Sequence, residues 1–456
     1  MTSKPRYRFL ISSIDAFGHI NCILAFGEIL ALHGHEVTFA HRQHYKKLAD
    51  SRNFKFISFD ETIFENIDSS AIVKWFDGLL HKFSVDAGSI FDNWTPDEIN
   101  FFGSRVDVYD RGNRALEAIL KQNEKNFDMF IGDFVMNYPL FHRATIPCAL
   151  LLSMNPVALY PNGPPAWSGF SVKGDKKLWD QFRMSFAKAS SVMREKIYSW
   201  WKSYEVPFPT IQDSRIENWL YAEPEHLGFY HYPDLLDYHE IGPIRSDKWM
   251  RIDRVIRRPE NNEPFNIPES LKSLPGKLIF FSLGSIGSVQ INLMKTFIKI
   301  LSKSPNRFII SKGPKGDELE LAPNMWGENY VNQLAILEAV DLVITHGGNN
   351  TFLETIHAGK PLIVVPFFMD QLDNAQRAVD CGIGSRINLC DLDETKLLKT
   401  IEETLSNIEF AEKIAKISDS MKSTKSRGNA VKKIESFLEE YQKDAKNKNS
   451  DLVQSN

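Results

Sequence analysis

One stretch of the chain gathers residue types suited to holding a phosphorylated ligand: His346-Gly347-Gly348-Asn349-Asn350-Thr351-Phe352-Leu353-Glu354. The apolar run over 342–345 reads as a buried strand, so the glycines form the turn that follows it. Residues 350–357 have helical spacing, with Asn349 or Asn350 placed to cap the helix. Free N–H groups and the positive end of a helix make such a turn an anion site, and glycines let a phosphate approach the backbone. His346 adds a ring N–H, and Thr351 adds a hydroxyl. Glu354 lies on the same helix face as Asn350 and offers a carboxylate to a pair of ribose hydroxyls. A second apolar run, over 362–365, leads to Asp370-Gln371, a carboxylate and an amide suited to the vicinal hydroxyls of a sugar. A third, over 277–283, ends in Gly284-Ser285-Ile286-Gly287-Ser288, another turn of phosphate size.

Groups for proton transfer lie near the amino terminus. Asp15-Ala16-Phe17-Gly18-His19 follows a strand-like run over 8–14. His19 falls at or just before a helix start, where the helix field disfavours imidazolium and keeps the ring able to accept a proton. A neutral ring there suits deprotonation of a hydroxyl. Asp133 ends another apolar run, over 127–132, while His35 in Gly-His-Glu-Val reads as structural. Taken singly, a Gly-Gly turn, a strand-end carboxylate or a turn histidine is more often structural than functional. The order and spacing of the set carry the reading.

Positioning these groups requires an α/β scaffold. Short apolar runs alternate with helix-period segments along most of the chain, the pattern of doubly wound parallel sheets. Residues 1–244 are expected as one domain and 277–427 as a second. The charged, proline-rich stretch 245–276, with Pro259, Pro264, Pro268 and Pro275, is expected as the linker. A helix over 428–441 is expected to pack back toward the first domain, with a frayed polar tail after it. Two such domains face each other across a deep cleft, and ligands are expected beyond the carboxyl ends of the strands. The first domain supplies aromatics for an apolar pocket: Phe17, Phe134, Tyr138, Met154, Trp167 and Phe170, the last two in a Pro- and Gly-rich loop over 164–170 that reads as a rim or lid.

Composition narrows the function classes. The chain has 456 residues, too many for one ordinary core. A net charge of -4 gives no sign of a nucleic-acid partner. Four cysteines at 22, 148, 381 and 390 form no Cys-x-x-Cys pair, which argues against a zinc knuckle. The apolar runs are far shorter than the roughly 18 residues of a membrane span. A cytoplasmic monomer without a membrane span is expected. No Asp-x-Asp pair accompanies the phosphate turn, so no metal is expected.

The run from Tyr330-Val331-Asn332-Gln333 through His346–Glu354 to Pro366 and Asp370-Gln371 resembles the donor signature of family 1 UDP-glycosyltransferases. The resemblance extends over the chain and implies a GT-B fold, two Rossmann-like domains facing a cleft. It implies that His346, together with Ser285, contacts a diphosphate, that Asn350 and Thr351 hold the α-phosphate side, and that Glu354 holds the ribose. Asp370 and Gln371 would contact the sugar, and Gly18 and Gly348 would lie against the donor. Tyr330 stands where plant members stack a Trp on the base, beside Val331 and Gln333, and Asn349 replaces a plant Trp that helps place the sugar. Gly18-His19 matches the position of the family's catalytic histidine, and Asp133 that of the aspartate that orients it. The implied reaction is inverting transfer of a hexose, glucose from UDP-glucose, to the hydroxyl of a flavonoid, phenolic or xenobiotic, with the UDP-sugar as co-substrate and no cofactor. A GT-B sugar-nucleotide epimerase and a noncatalytic nucleotide-sugar-binding subunit are the rival readings.

Overall fold

A computed structural model describes residues 5–64, 71–136, 138–207, 220–221, 223–258 and 263–454. Strands β1 (Arg8–Ser13), β2 (Glu36–His41), β3 (Lys55–Ser58), β4 (Met129–Asp133), β5 (Cys148–Leu152), β6 (Leu227–His231) and β7 (Trp249–Ile252) form one sheet. Their order is β3-β2-β1-β4-β5-β6-β7, and every pairing is parallel. Strands β8 (Leu278–Ser282), β9 (Arg307–Ser311), β10 (Met325–Glu328), β11 (Leu342–Thr345), β12 (Leu362–Val364) and β13 (Gly384–Arg386) form a second sheet. It runs β10-β9-β8-β11-β12-β13, again parallel throughout. The interior strands β4, β5, β8 and β11 are buried at every residue. That is why they read as unbroken apolar runs: helices cover both faces of a parallel sheet.

In each sheet the order reverses beside the first strand, and the reversals place the loops that matter. Ser13 pairs with Asp133 across β1 and β4, so the loop after β1 opens beside the end of β4. Thr345 of β11 pairs with Ser282 on one side and with Val364 on the other. The turns after β8, β11 and β12 therefore emerge together, at a switch point where open α/β sheets hold ligands.

Four helices carry the site or close the structure: α1 (Phe17–Leu32), α2 (Asn349–His357), α3 (Asp370–Cys381) and α4 (Ser426–Gln454). α4 buries Ala430, Val431, Ile434 and Leu438 in the core that also holds Phe26 and Phe229 of the amino-terminal domain. The end of the chain thus returns to the first sheet.

Several elements differ from the sequence reading. Trp249–Ile252, inside the stretch expected as linker, is the seventh strand of the first sheet; its four residues show only buried ends, too short a pattern to stand out among charges. Part of that stretch, 259–262 with Pro259, lies outside the described residues. Strands β10 and β13 carry glycines and incompletely buried charged residues, Glu328 and Arg386, so no apolar run marked them. α4 continues as helix through the polar tail expected to fray.

Candidate active site at the domain junction

A cavity of about 460 Å³ lies between the two domains, and both switch points open into it. Its walls include Gly18, His19, Ser153 and Met154 from the first domain and Ser285, His346, Gly348, Asn349, Asn350, Asp370 and Gln371 from the second.

His19 stands in the first turn of α1, not before it, because the helix starts at Phe17 with Ala16 as its cap residue. Its Nδ1 lies 2.9 Å from Oδ1 of Asp133 and 3.1 Å from Oγ of Ser153. Asp133 is fully buried, and its other oxygen has no partner among the described residues. A carboxylate there accepts the Nδ1–H, which fixes the tautomer and leaves Nε2 as the basic nitrogen. Burial pulls the His19 ring toward neutrality, but the Asp133 charge and hydrogen bond, with a smaller push from Asp370, outweigh it and hold its pKa above the ordinary value. The helix field alone had suggested the opposite direction; the buried carboxylate decides it. Ser153 went unread, although its place just after β5 is where a sheet presents functional groups.

The turn after β11 is shaped by glycines. Gly347 has φ of 86°, and Gly348, not an asparagine, takes the cap position of α2. The His346 ring lies between the backbones of Gly284 and Gly348: a Cβ at either would fall 2.6 Å from its Nε2. Burial pushes His346 down to about 4. It is therefore neutral near pH 7, with an N–H to donate. Burial also raises Asp370, to about 6, against the N–H of Asn155 that it accepts and the charge of His19. Met369, just before it, holds φ of 55° without being glycine, a local strain of the kind that collects at functional sites.

The two asparagines of the turn reach across the junction. Asn349 donates to the Ser153 carbonyl at 2.7 Å, and Asn350 to the Gly18 carbonyl at 2.6 Å. Asn374 donates to Gly347 and Asn349 and accepts from Asn155 at 2.9 Å. Asp373 accepts the backbone N–H groups of Trp167 and Gly169 at 2.8 and 3.0 Å. Burial pushes Asp373 up to about 7 although these N–H groups favour its charge. Arg377 donates to the carbonyls of Leu236 and Asp237, both at 2.7 Å, and pairs with Glu240. None of the contacts across the junction was legible beforehand, because each joins residues more than a hundred positions apart.

The remaining donor residues, Tyr330, Val331, Gln333, Thr351 and Glu354, do not line the cavity. Gln333 donates to Glu354 at 2.5 Å and to Thr351 at 3.3 Å. Glu354 also pairs with Arg257 at 3.1 Å. Tyr330 is 75% exposed, so its ring is open to a stacking partner, with half-buried Val331 next to it.

Of the six expected acceptor residues, Phe17, Tyr138, Met154 and Trp167 line the cavity. Phe134 and Phe170 do not. Phe134 is buried against Phe130, Tyr138 and Phe141, and Phe170 packs edge-on against Phe182. Phe134 lies in the core and half-buried Phe170 packs against it, as most aromatics in so Phe-rich a chain must. Trp75, Phe102, Arg105 and Tyr109 also line the cavity; none of them was among the expected acceptor residues.

The fold and part of the sequence are similar to those of known glycosyltransferases. Residues 278–434 match the Glycosyltransferase family 28 C-terminal domain. An uncharacterized UDP-glucosyltransferase YojK of Bacillus subtilis is 31% identical over 189 residues, 41% of this chain and 45% of that protein. The aligned stretch thus spans under half of that relative's length. NDP-glycosyltransferase YjiC of Bacillus subtilis is 23% identical over 95% of this chain and 98% of its own. The crystal structure of the glycotransferase of kitacinnamycin superposes with a TM-score of 0.68 at 19% identity, covering 95% of this chain and all of that one. Among the described residues no helix is long and apolar enough to cross a membrane. The chain thus has a GT-B fold, and its carboxy-terminal domain matches that of glycosyltransferase family 28.

Proposed function

We propose that the protein transfers glucose from UDP-glucose to the hydroxyl of a small, largely apolar acceptor, with inversion at the anomeric carbon. The observation that carries this reading is the pairing of His19 with buried Asp133 at 2.9 Å, on the wall of the cavity that the anion-binding turns enter. His19 Nε2 takes the acceptor's O–H proton, and the acceptor oxygen attacks the anomeric carbon. The bond from that carbon to the β-phosphate oxygen breaks, and UDP leaves. Its growing charge meets the N-terminus of α2 and the N–H of neutral His346. Asp370 and Gln371 hold the sugar, Ser285, Asn350 and Thr351 the phosphates. Tyr330 stacks on the base beside Val331. Glu354 keeps lone pairs for ribose hydroxyls although Arg257 and Gln333 already bind it, since a carboxylate has about four acceptor sites. The chemistry needs no resident cofactor, because the electrons move only within the transferred bond.

Incubation with several UDP-sugars and a panel of phenols, read by mass spectrometry, tests the reading. A glucosylated phenol with release of UDP is the expected result. An altered UDP-sugar with no glycosylated phenol would replace transfer by epimerisation.

The pH profile follows from the base. His19 must be neutral to act, and its pKa is held above 6.5 chiefly by Asp133. Log kcat/KM is therefore expected to fall as pH drops through a value above 6.5. Asp133→Asn removes the charge that favours imidazolium, so the acid limb should move to lower pH while the plateau falls. An acid limb that stays in place in the variant contradicts the assignment.

A further inference from the structure

The cavity wall away from the donor turns carries an arginine that the proposed transfer does not use. Arg105 lies half-buried among aromatics, its guanidinium carbon 5.9 Å from the Trp75 ring centre and 5.7 Å from that of Tyr109. The carboxylates near it on the same helix are already engaged. Asp107 pairs with Lys196 at 2.9 Å, and Asp110 with Arg114 at 3.1 Å. The other arginine on the wall, Arg42, is held by Asp15 at 3.2 Å and Glu61 at 3.3 Å, and Asp15 also accepts from Tyr45. Asp370 sits at the donor end and accepts the Asn155 N–H. Among the described residues Arg105 is thus the one arginine lining the cavity with no carboxylate partner.

A guanidinium drawn partly out of water between rings recovers some of its lost hydration from the ring faces. Its planar fork of N–H donors remains unspent, and that fork matches a carboxylate. Trp75 and Tyr109 supply aromatic surface beside it. We infer that the acceptor is an aromatic hydroxy acid, its carboxylate held by Arg105 while a separate hydroxyl reaches His19. The inference rests on the proposed transfer for the role of the molecule, but not for its binding.

Matched pairs test it: 4-hydroxybenzoic, 4-hydroxycinnamic and 6-hydroxy-2-naphthoic acids, each against its methyl ester, titrated calorimetrically into the full-length protein. At least one acid is expected to bind at least about tenfold more tightly than its ester, the scale of one charge-assisted pair. In Arg105→Gln that ratio should collapse toward one, while Arg105→Lys, with a charge but no fork, should keep part of it. Thermal melts establish that both variants are folded. Equal binding of acid and ester, failure of every acid to bind, or a ratio that survives Arg105→Gln would overturn the inference. Acid-selective binding without sugar transfer from any donor would uphold Arg105 and sink the transfer reading instead.

Discussion

Replacing His19 with alanine is expected to lower kcat for sugar transfer by about 10²–10⁴-fold, the usual contribution of a positioned general base. Donor affinity should change little, because the turns expected to hold the nucleotide come from the other domain. The size of the loss follows from the geometry. Nδ1 is committed to Asp133 at 2.9 Å and approached by Ser153 at 3.1 Å. The ring is thus fixed in one tautomer before the acceptor arrives. Single-turnover rates with saturating donor measure the effect on the chemical step. A variant that retains near-normal transfer would remove His19 from the mechanism.

Gly284→Ala is expected to weaken donor binding by about tenfold or more. Gly284 holds φ of 69°, where a side chain costs roughly 1–2 kcal/mol, and each 1.4 kcal/mol is about a factor of ten. Its Cβ would also fall 2.6 Å from Nε2 of His346. That ring is confined on its other side by Gly348 at the same distance, so it must leave the turn it serves. Calorimetric binding of UDP measures the loss. Gly428→Ala is the matched control, since its Cβ would meet only His33, at an ordinary 3.8 Å. Equal UDP affinity in both variants would mean that His346 does not touch the diphosphate.

The residues behind both predictions were visible in the sequence because they lie in contiguous motifs next to buried strands. Apolar runs marked β1, β4, β8 and β11, and polar residues just after such runs have few structural duties. The His346–Glu354 turn was legible for that reason, down to the helix that follows it. What joins the domains was not. Asn155, Asp373, Asn374 and Arg377 act through partners far away in sequence. Asn349 was read as a donor contact; its side chain spans the junction to Ser153. The acceptor wall was half legible. Aromatic type alone cannot separate Tyr138, on the cavity, from Phe134 behind it. Arg105 carried no signal, because its meaning depends on carboxylates that neighbouring helix positions have already paired.

Direct displacement at the anomeric carbon, by an acceptor oxygen that His19 deprotonates, fixes the stereochemistry of the product. The anomeric configuration of the product tests it most directly, read by proton NMR from the coupling of the anomeric hydrogen after reaction with UDP-α-glucose. A β-glucoside is the expected product. An α-glucoside would contradict direct displacement, since retention requires a second displacement or a front-face mechanism that a single base on this cavity wall does not provide.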